Sequence, residues 1–116
     1  QQYFYKSQVE KIKEIKSLIT DNLDKHYTMT QLAKMYDLSL SALKKCFKGV
    51  YGEAIYSYLS SYKMNVAASL LLKTDESVTA IAGKVGYTNV SKFSEVFKKN
   101  YGKSPMEYRK INIQTE

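Results

Sequence analysis

The chain has 116 residues, with 18 lysines and arginines against 11 acids and a formal net charge of +7. That length fits one typical domain, or two very small units sharing a core, and excludes two large domains. The charge favours an anionic partner, nucleic acid or an acidic membrane surface, while 44% hydrophobic residues, one proline and five glycines leave long stretches free to be helical.

In chain order, Val9, Ile12, Ile15, Leu18 and Ile19 recur at three- and four-residue spacing, so a first amphipathic helix is expected from Gln8 to about Asn22. Thr28 followed by Gln31 reads as a capping box opening a short second helix through Tyr36, with Leu32, Ala33 and Tyr36 inward. Ser39 is a plausible N-cap for a third helix whose Leu43, Cys46, Phe47 and Val50 form one stripe. Its other face carries Ser41, Lys44, Lys45 and Lys48, and Gly52 ends it.

No breaker occurs from Glu53 to Lys73, where Ile55, Leu59, Tyr62, Val66 and Leu70 mark a long fourth helix. Ser77 caps a fifth helix over Val78 to Val85, and Gly86 stands where a turn residue is needed. The run from Tyr87 to Tyr101 gives a sixth helix with Val90, Phe93, Val96 and Phe97 inward. Ser104, Pro105 and Glu107 then sit as N-cap, N1 and N3 of a short last helix. The tail is 111–116, of which NIQTE, 112–116, reads as frayed.

Two parts of this list repeat. Thr30, Leu32 and Ala33 recur as Thr79, Ile81 and Ala82, and Phe47, Lys48, Tyr51, Gly52 and Tyr58 recur as Phe97, Lys98, Tyr101, Gly102 and Tyr108. The offset is 49 residues before the turn and 50 after it, so one residue is inserted at the start of the second basic helix. Matched turns, caps and core positions indicate two copies of one supersecondary unit. Each copy is a short helix with small residues, a turn, and a helix with an apolar inner and a lysine-bearing outer face, which is the sequence form of a helix-turn-helix.

Charge concentrates on the second helix of each copy. Residues 39–51 hold Lys44, Lys45 and Lys48 and no acid; residues 88–103 hold Lys92, Lys98, Lys99 and Lys103 against Glu95 alone. The aromatic residues fall on the inner faces, so stacking platforms for single strands are disfavoured and a duplex major groove is favoured. The long helix rises about 1.5 Å per residue, roughly 30 Å in all. Successive major-groove faces on one side of DNA are about 34–36 Å apart, so one chain could serve two adjacent grooves.

Together these features resemble the DNA-binding domain of AraC-type (AraC/XylS) transcription regulators. The most specific stretch is the second unit, at Ile81, Ala82, Gly86, Tyr87, Phe93, Phe97, Lys98, Gly102, Ser104, Pro105, Tyr108 and Arg109. The resemblance implies an all-α, seven-helix domain over 8–110. Its two helix-turn-helix units lie at about 28–52 and 77–102, joined by a linker helix at about 53–73. Carried over by position, base reading falls on Ser41, Lys44 and Lys45 in the first unit and on Val90, Ser91, Ser94 and Glu95 in the second. Ser39, Lys48, Lys92, Lys98 and Lys99 are candidates for phosphate contacts. Glu95 has an equal alternative as partner of a neighbouring lysine. Two positions depart from the family pattern: Asp37 stands where a turn glycine is common, and Lys63 where an arginine is usual.

Double-stranded DNA is therefore the expected partner. The resemblance further implies RNA polymerase contact on activation and a separate effector or dimerisation domain in a longer protein, of which a chain starting at Gln1 would be a fragment. One His and one Cys cannot build the usual metal sites, and no nucleophile-base pair or phosphate-cradling loop is evident, so neither catalysis nor a cofactor is expected. Cys46 cannot form an intrachain disulfide and reads as a buried thiol of a reducing, cytoplasmic setting. No secretory signal and no run of about 18 apolar residues occur, so no membrane span is expected. The alternative is a helical protein-interaction module, for which 11 tyrosines could furnish a surface.

Overall fold

The structure is a computed structural model in which residues 4–114 are described, with side chains through residue 112. Among these residues there are seven helices and no strand: α1 Lys6–Asp21, α2 Met29–Met35, α3 Leu40–Tyr51, α4 Ile55–Lys73, α5 Val78–Lys84, α6 Val90–Tyr101 and α7 Pro105–Gln114. The chain forms two compact units that divide between Ser60 and Ser61, inside α4.

In the first unit, α1 supplies Ile12, Ile15 and Ile19, α2 supplies Leu32 and Ala33, and α3 supplies Leu43, Cys46 and Phe47 to one buried cluster that Ile55 completes. These are the stripes expected from helical spacing, because positions three and four apart share a face. Helix α3 packs against both α1 and α2. In the second unit the buried residues are Met64, Ala67, Ala68 and Leu71 of α4, Ile81 and Ala82 of α5, Val85 after it, Phe93 and Phe97 of α6, and Pro105 at the start of α7. Here α6 packs against α5 and α7.

Besides moving the start of α6 from Tyr87 to Val90, where Asn89 caps it, the structure corrects the sequence reading in three places. First, α4 begins at Ile55 rather than Glu53, because left-handed Gly52 ends α3 and the first turn of α4 closes from the Tyr58 N–H to the Ala54 carbonyl, 3.0 Å. Second, Tyr62, Val66 and Leu70 are only half-buried, and the buried face of that half is Met64, Ala67, Ala68 and Leu71. Apolar side chains surround α4, so spacing alone does not select a face, and each half is sorted by its own unit. Third, α7 continues through Gln114, and the Asn112 amide bonds the Tyr108 carbonyl at 2.8 Å. Of the tail expected to fray, Thr115 and Glu116 lie outside the described residues.

Candidate nucleic-acid interface

Each unit turns from its short helix into its basic helix by the same backbone device. After α2 the Leu38 N–H reaches the Ala33 carbonyl at 2.8 Å and the Asp37 N–H the Lys34 carbonyl at 3.3 Å; after α5 the Tyr87 N–H reaches Ala82 at 2.8 Å and the Gly86 N–H reaches Gly83 at 3.0 Å. This six-to-one, five-to-two pair is a Schellman motif, which requires a left-handed residue just past the helix. Gly86 has φ 90° and Asp37 has φ 52°, so aspartate here takes the glycine conformation.

The basic helices are then capped alike. The Ser39 hydroxyl oxygen accepts from the Ala42 N–H and the Asn89 side-chain oxygen from the Lys92 N–H, both at 3.0 Å. Leu38 corresponds to Tyr87 and Ser39 to Asn89, so the extra residue of the second unit is Thr88, in the turn. Both helices end on a left-handed glycine, with the Gly52 N–H 2.8 Å from the Lys48 carbonyl and the Gly102 N–H 2.7 Å from the Lys98 carbonyl.

The far ends are anchored by matched ring clusters. Centroid separations are 4.9, 5.5 and 5.2 Å for Phe47–Tyr51, Phe47–Tyr58 and Tyr51–Tyr58, and 4.7, 5.4 and 5.3 Å for Phe97–Tyr101, Phe97–Tyr108 and Tyr101–Tyr108. In the second unit the Tyr101 hydroxyl is also 2.6 Å from Asn65 Oδ1, and burial pushes its pKa up.

With one side of each basic helix buried, the polar side is left free. On α3 the exposed residues include Ser41, Lys44, Lys45 and Lys48, at helical spacing along one face, and Ser39 is exposed at its cap. On α6 the corresponding residues, 50 positions on, are Ser91, Ser94, Glu95 and Lys98, of which Ser94 is half-buried and the others exposed. Lys92 and Lys99 are exposed beside them, and Val90 is half-buried. Lys92 Nζ stands 3.6 Å from Glu95 Oε1, an exposed pair one helical turn apart. Such a pair is worth little and yields readily to a stronger partner.

Sequence reasoning passed over Leu40, which is 41% exposed at the first turn of α3 and corresponds to Val90. The 50-residue offset that maps the repeat would have found it. A groove lined by Met29, Lys44, Lys48, Ala54, Ile55 and Tyr56 flanks the same face. Lys63, the second departure from the family pattern, lies with Nζ 5.6 Å from the Tyr87 ring centroid, and burial lowers its pKa. Its contact is thus a cation–π one within the second unit. Among the described residues no acid, His and Cys cluster could hold a metal, and no helix is long and apolar enough to cross a membrane.

Comparison with known proteins agrees with this geometry. A family model described as a helix-turn-helix domain matches residues 32–111. The HTH-type transcriptional activator RhaR of Mannheimia succiniciproducens is 30% identical over 103 residues, 89% of this chain and 37% of that protein. The chain thus spans little more than a third of that relative. The C-terminal domain of AraT, a response regulator from Geobacillus stearothermophilus, superposes with a TM-score of 0.82 at 29% identity, covering 87% of this chain and 84% of that one. The DNA-binding domain of AdpA, solved with a target DNA, shares the fold with a TM-score of 0.81 at 24% identity, covering 86% and 90%.

Proposed function

The chain belongs to the AraC/XylS-type family of helix-turn-helix transcription regulators, and from that premise we propose that it is the sequence-specific, double-stranded-DNA-binding part of such a regulator. Each unit lays its basic helix, α3 or α6, in a major groove, and the two grooves are adjacent. The observation that carries this reading is the duplicated scaffold: two equally capped and anchored helices, each with its rings inside and its polar face free.

On this reading Ser41, Lys44 and Lys45, and Val90, Ser91, Ser94 and Glu95, meet base edges. Lysine donates to guanine O6 and N7, Val90 touches a thymine methyl, and Glu95 accepts from cytosine N4. Lys48, Lys92, Lys98 and Lys99 meet phosphates, and Ser39, whose oxygen is held by its cap bond, offers its hydroxyl proton there. The domain runs over residues 8–110, with the helix-turn-helix units at about 28–52 and 77–102 and the linker at about 53–73. A cytoplasmic location, RNA polymerase contact and a further effector or dimerisation domain in a longer protein belong to the same reading; the match to only 37% of RhaR supports the last of these. No catalysis is assigned to the chain.

The test is selection of bound duplexes from a randomised pool of about 25 base pairs, long enough for two half-sites one turn apart, followed by affinity against salt. A bipartite motif with a steep loss on raising salt is expected. No motif and a shallow salt dependence would replace the reading by a helical protein-interaction module.

A further inference from the structure

Gly49 lies inside α3, whose left-handed glycine is the cap at Gly52, so its backbone asks for nothing that alanine could not supply. A glycine in a helix interior costs stability relative to alanine. What it leaves is room. A methyl group on Gly49 would strike Phe4 Cε2 and come within 2.6 Å of Cζ, whereas one on Gly83, the other glycine inside a helix, would meet nothing within 4 Å. Phe4 is half-buried and packs against the core of the first unit. Its place is fixed by Tyr5, the N-cap of α1, whose carbonyl accepts from the Gln8 and Val9 N–H groups at 2.9 and 3.1 Å.

The repeat shows what the ring replaces. Fifty positions on, Gly49 corresponds to Lys99, an exposed side chain assigned above to a phosphate. A helical side chain covers the surface over the turn before its own Cα, and for residue 49 that is the turn reaching back to Lys45. In the second unit a lysine of the reading helix itself covers this place. In the first a ring brought in from ahead of α1 covers it.

We infer that Phe4 is a positioning residue for DNA binding by the first unit: seated on Gly49, it holds the C-terminal half of α3 and the stem of Lys45 beside it. The second unit has no such dependence, because the equivalent place is filled by a residue of its own helix. The grip of the first unit on a duplex is therefore conditional on the segment ahead of α1. Lifting Phe4 from Gly49 weakens one half-site and spares the other, which gives whatever holds that segment a means of acting on one groove alone.

The inference rests on the DNA-binding reading, and the experiment separates the two. The 116-residue chain and its Phe4→Ala, Gly49→Ala and double variants are titrated against the duplex that wild type selects and against duplexes with either half-site scrambled. The half-site whose base preference Lys44→Ala relaxes is the first. Phe4→Ala removes the ring and Gly49→Ala expels it, a clash with the far end of one side chain that the fold tolerates. Because alanine also favours the helix, Gly49→Ala should melt above Phe4→Ala yet bind as weakly; a merely structural role would make affinity follow melting. Each single variant is expected to lose about fivefold on the selected duplex, within the coupling seen between residues in contact, and the double variant no more than either. With the first half-site scrambled, no variant should lose anything. Losses that add in the double variant, that persist on the scrambled first half-site, or that do not occur overturn the inference while the DNA-binding reading stands. If wild type selects no motif, both fall.

Discussion

At Asp37 the backbone turns with φ 52°, a conformation that costs an L-residue about 1–2 kcal/mol and that aspartate tolerates better than most. The equivalent residue is Gly86, with φ 90°, and both sit in the same hydrogen-bonded turn. Asp37→Gly should therefore stabilise the protein, by about 0.5 kcal/mol once the greater freedom of glycine in the unfolded chain is subtracted. A rise in the urea midpoint at constant slope is the expected result; a fall would mean that the aspartate side chain matters more to the turn than its backbone strain. The reverse experiment is Gly86→Val, which forces a β-branched residue to positive φ and should cost about 2 kcal/mol or more. Unchanged melting would refute the turn assignment.

Caps are local, a side chain reaching a backbone N–H three residues away, which is why the elements could be placed from the sequence. Thr28 and Gln31 close a reciprocal box over α2, with Thr28 N–H to Gln31 Oε1 at 2.8 Å and Gln31 N–H to Thr28 Oγ1 at 3.0 Å. Ser104 and Glu107 do the same for α7 at 3.0 and 3.3 Å. The bond from the Ser104 N–H, with that of its hydroxyl, holds the Glu107 pKa below its ordinary 4.5. A folded-state pKa below the unfolded one gives stability that is present above pH 4.5 and lost as pH falls through the folded value. Glu107→Gln, which keeps an acceptor but no charge, should flatten that acid limb in urea titrations between neutral pH and about pH 3; an unaltered limb would mean the box is not formed in solution. Contacts across long sequence separations were not legible in the same way. In the sequence Arg109 is a signature residue and nothing more, yet its Nε is 2.8 Å from the Leu71 carbonyl and an Nη 3.2 Å from that of Thr74, where it satisfies acceptors at the C-terminal end of α4. Phe4 seats against Gly49, where a Cβ would come within 2.2 Å of its ring. Nothing in the local pattern around either residue points to its partner. The buried face of α4 was missed for a related reason: apolar residues surround the helix, and tertiary neighbours decide which are covered. Arg109→Ala should cost about 1.5–3 kcal/mol, the worth of charged hydrogen bonds left unmade, and Arg109→Lys should restore only part of it, since lysine lacks the planar fork.

For the whole chain, charge and its placement divide the work of binding. The net charge of +7 attracts any duplex, and the contacts proposed above sort the lysines of α3 and α6 into two groups that a salt series would tell apart. A lysine on a phosphate releases condensed counterions on every sequence alike, and each such contact adds about 0.9 to the slope of log affinity against log salt. A lysine on a guanine edge acts mainly on the cognate site, at about 1–3 kcal/mol. Lys98→Ala should therefore weaken cognate and random duplexes by the same factor and lower the salt slope by about 0.9. Lys44→Ala should weaken the cognate duplex by about 1–3 kcal/mol and the random one far less, narrowing the ratio between them. Anisotropy titrations of both variants on both duplexes at several salt concentrations supply the four comparisons needed. Equal losses on cognate and random DNA for Lys44→Ala would move Lys44 to the phosphate group and leave the first unit to read its box by Lys45, Ser41 and the apolar edge at Leu40.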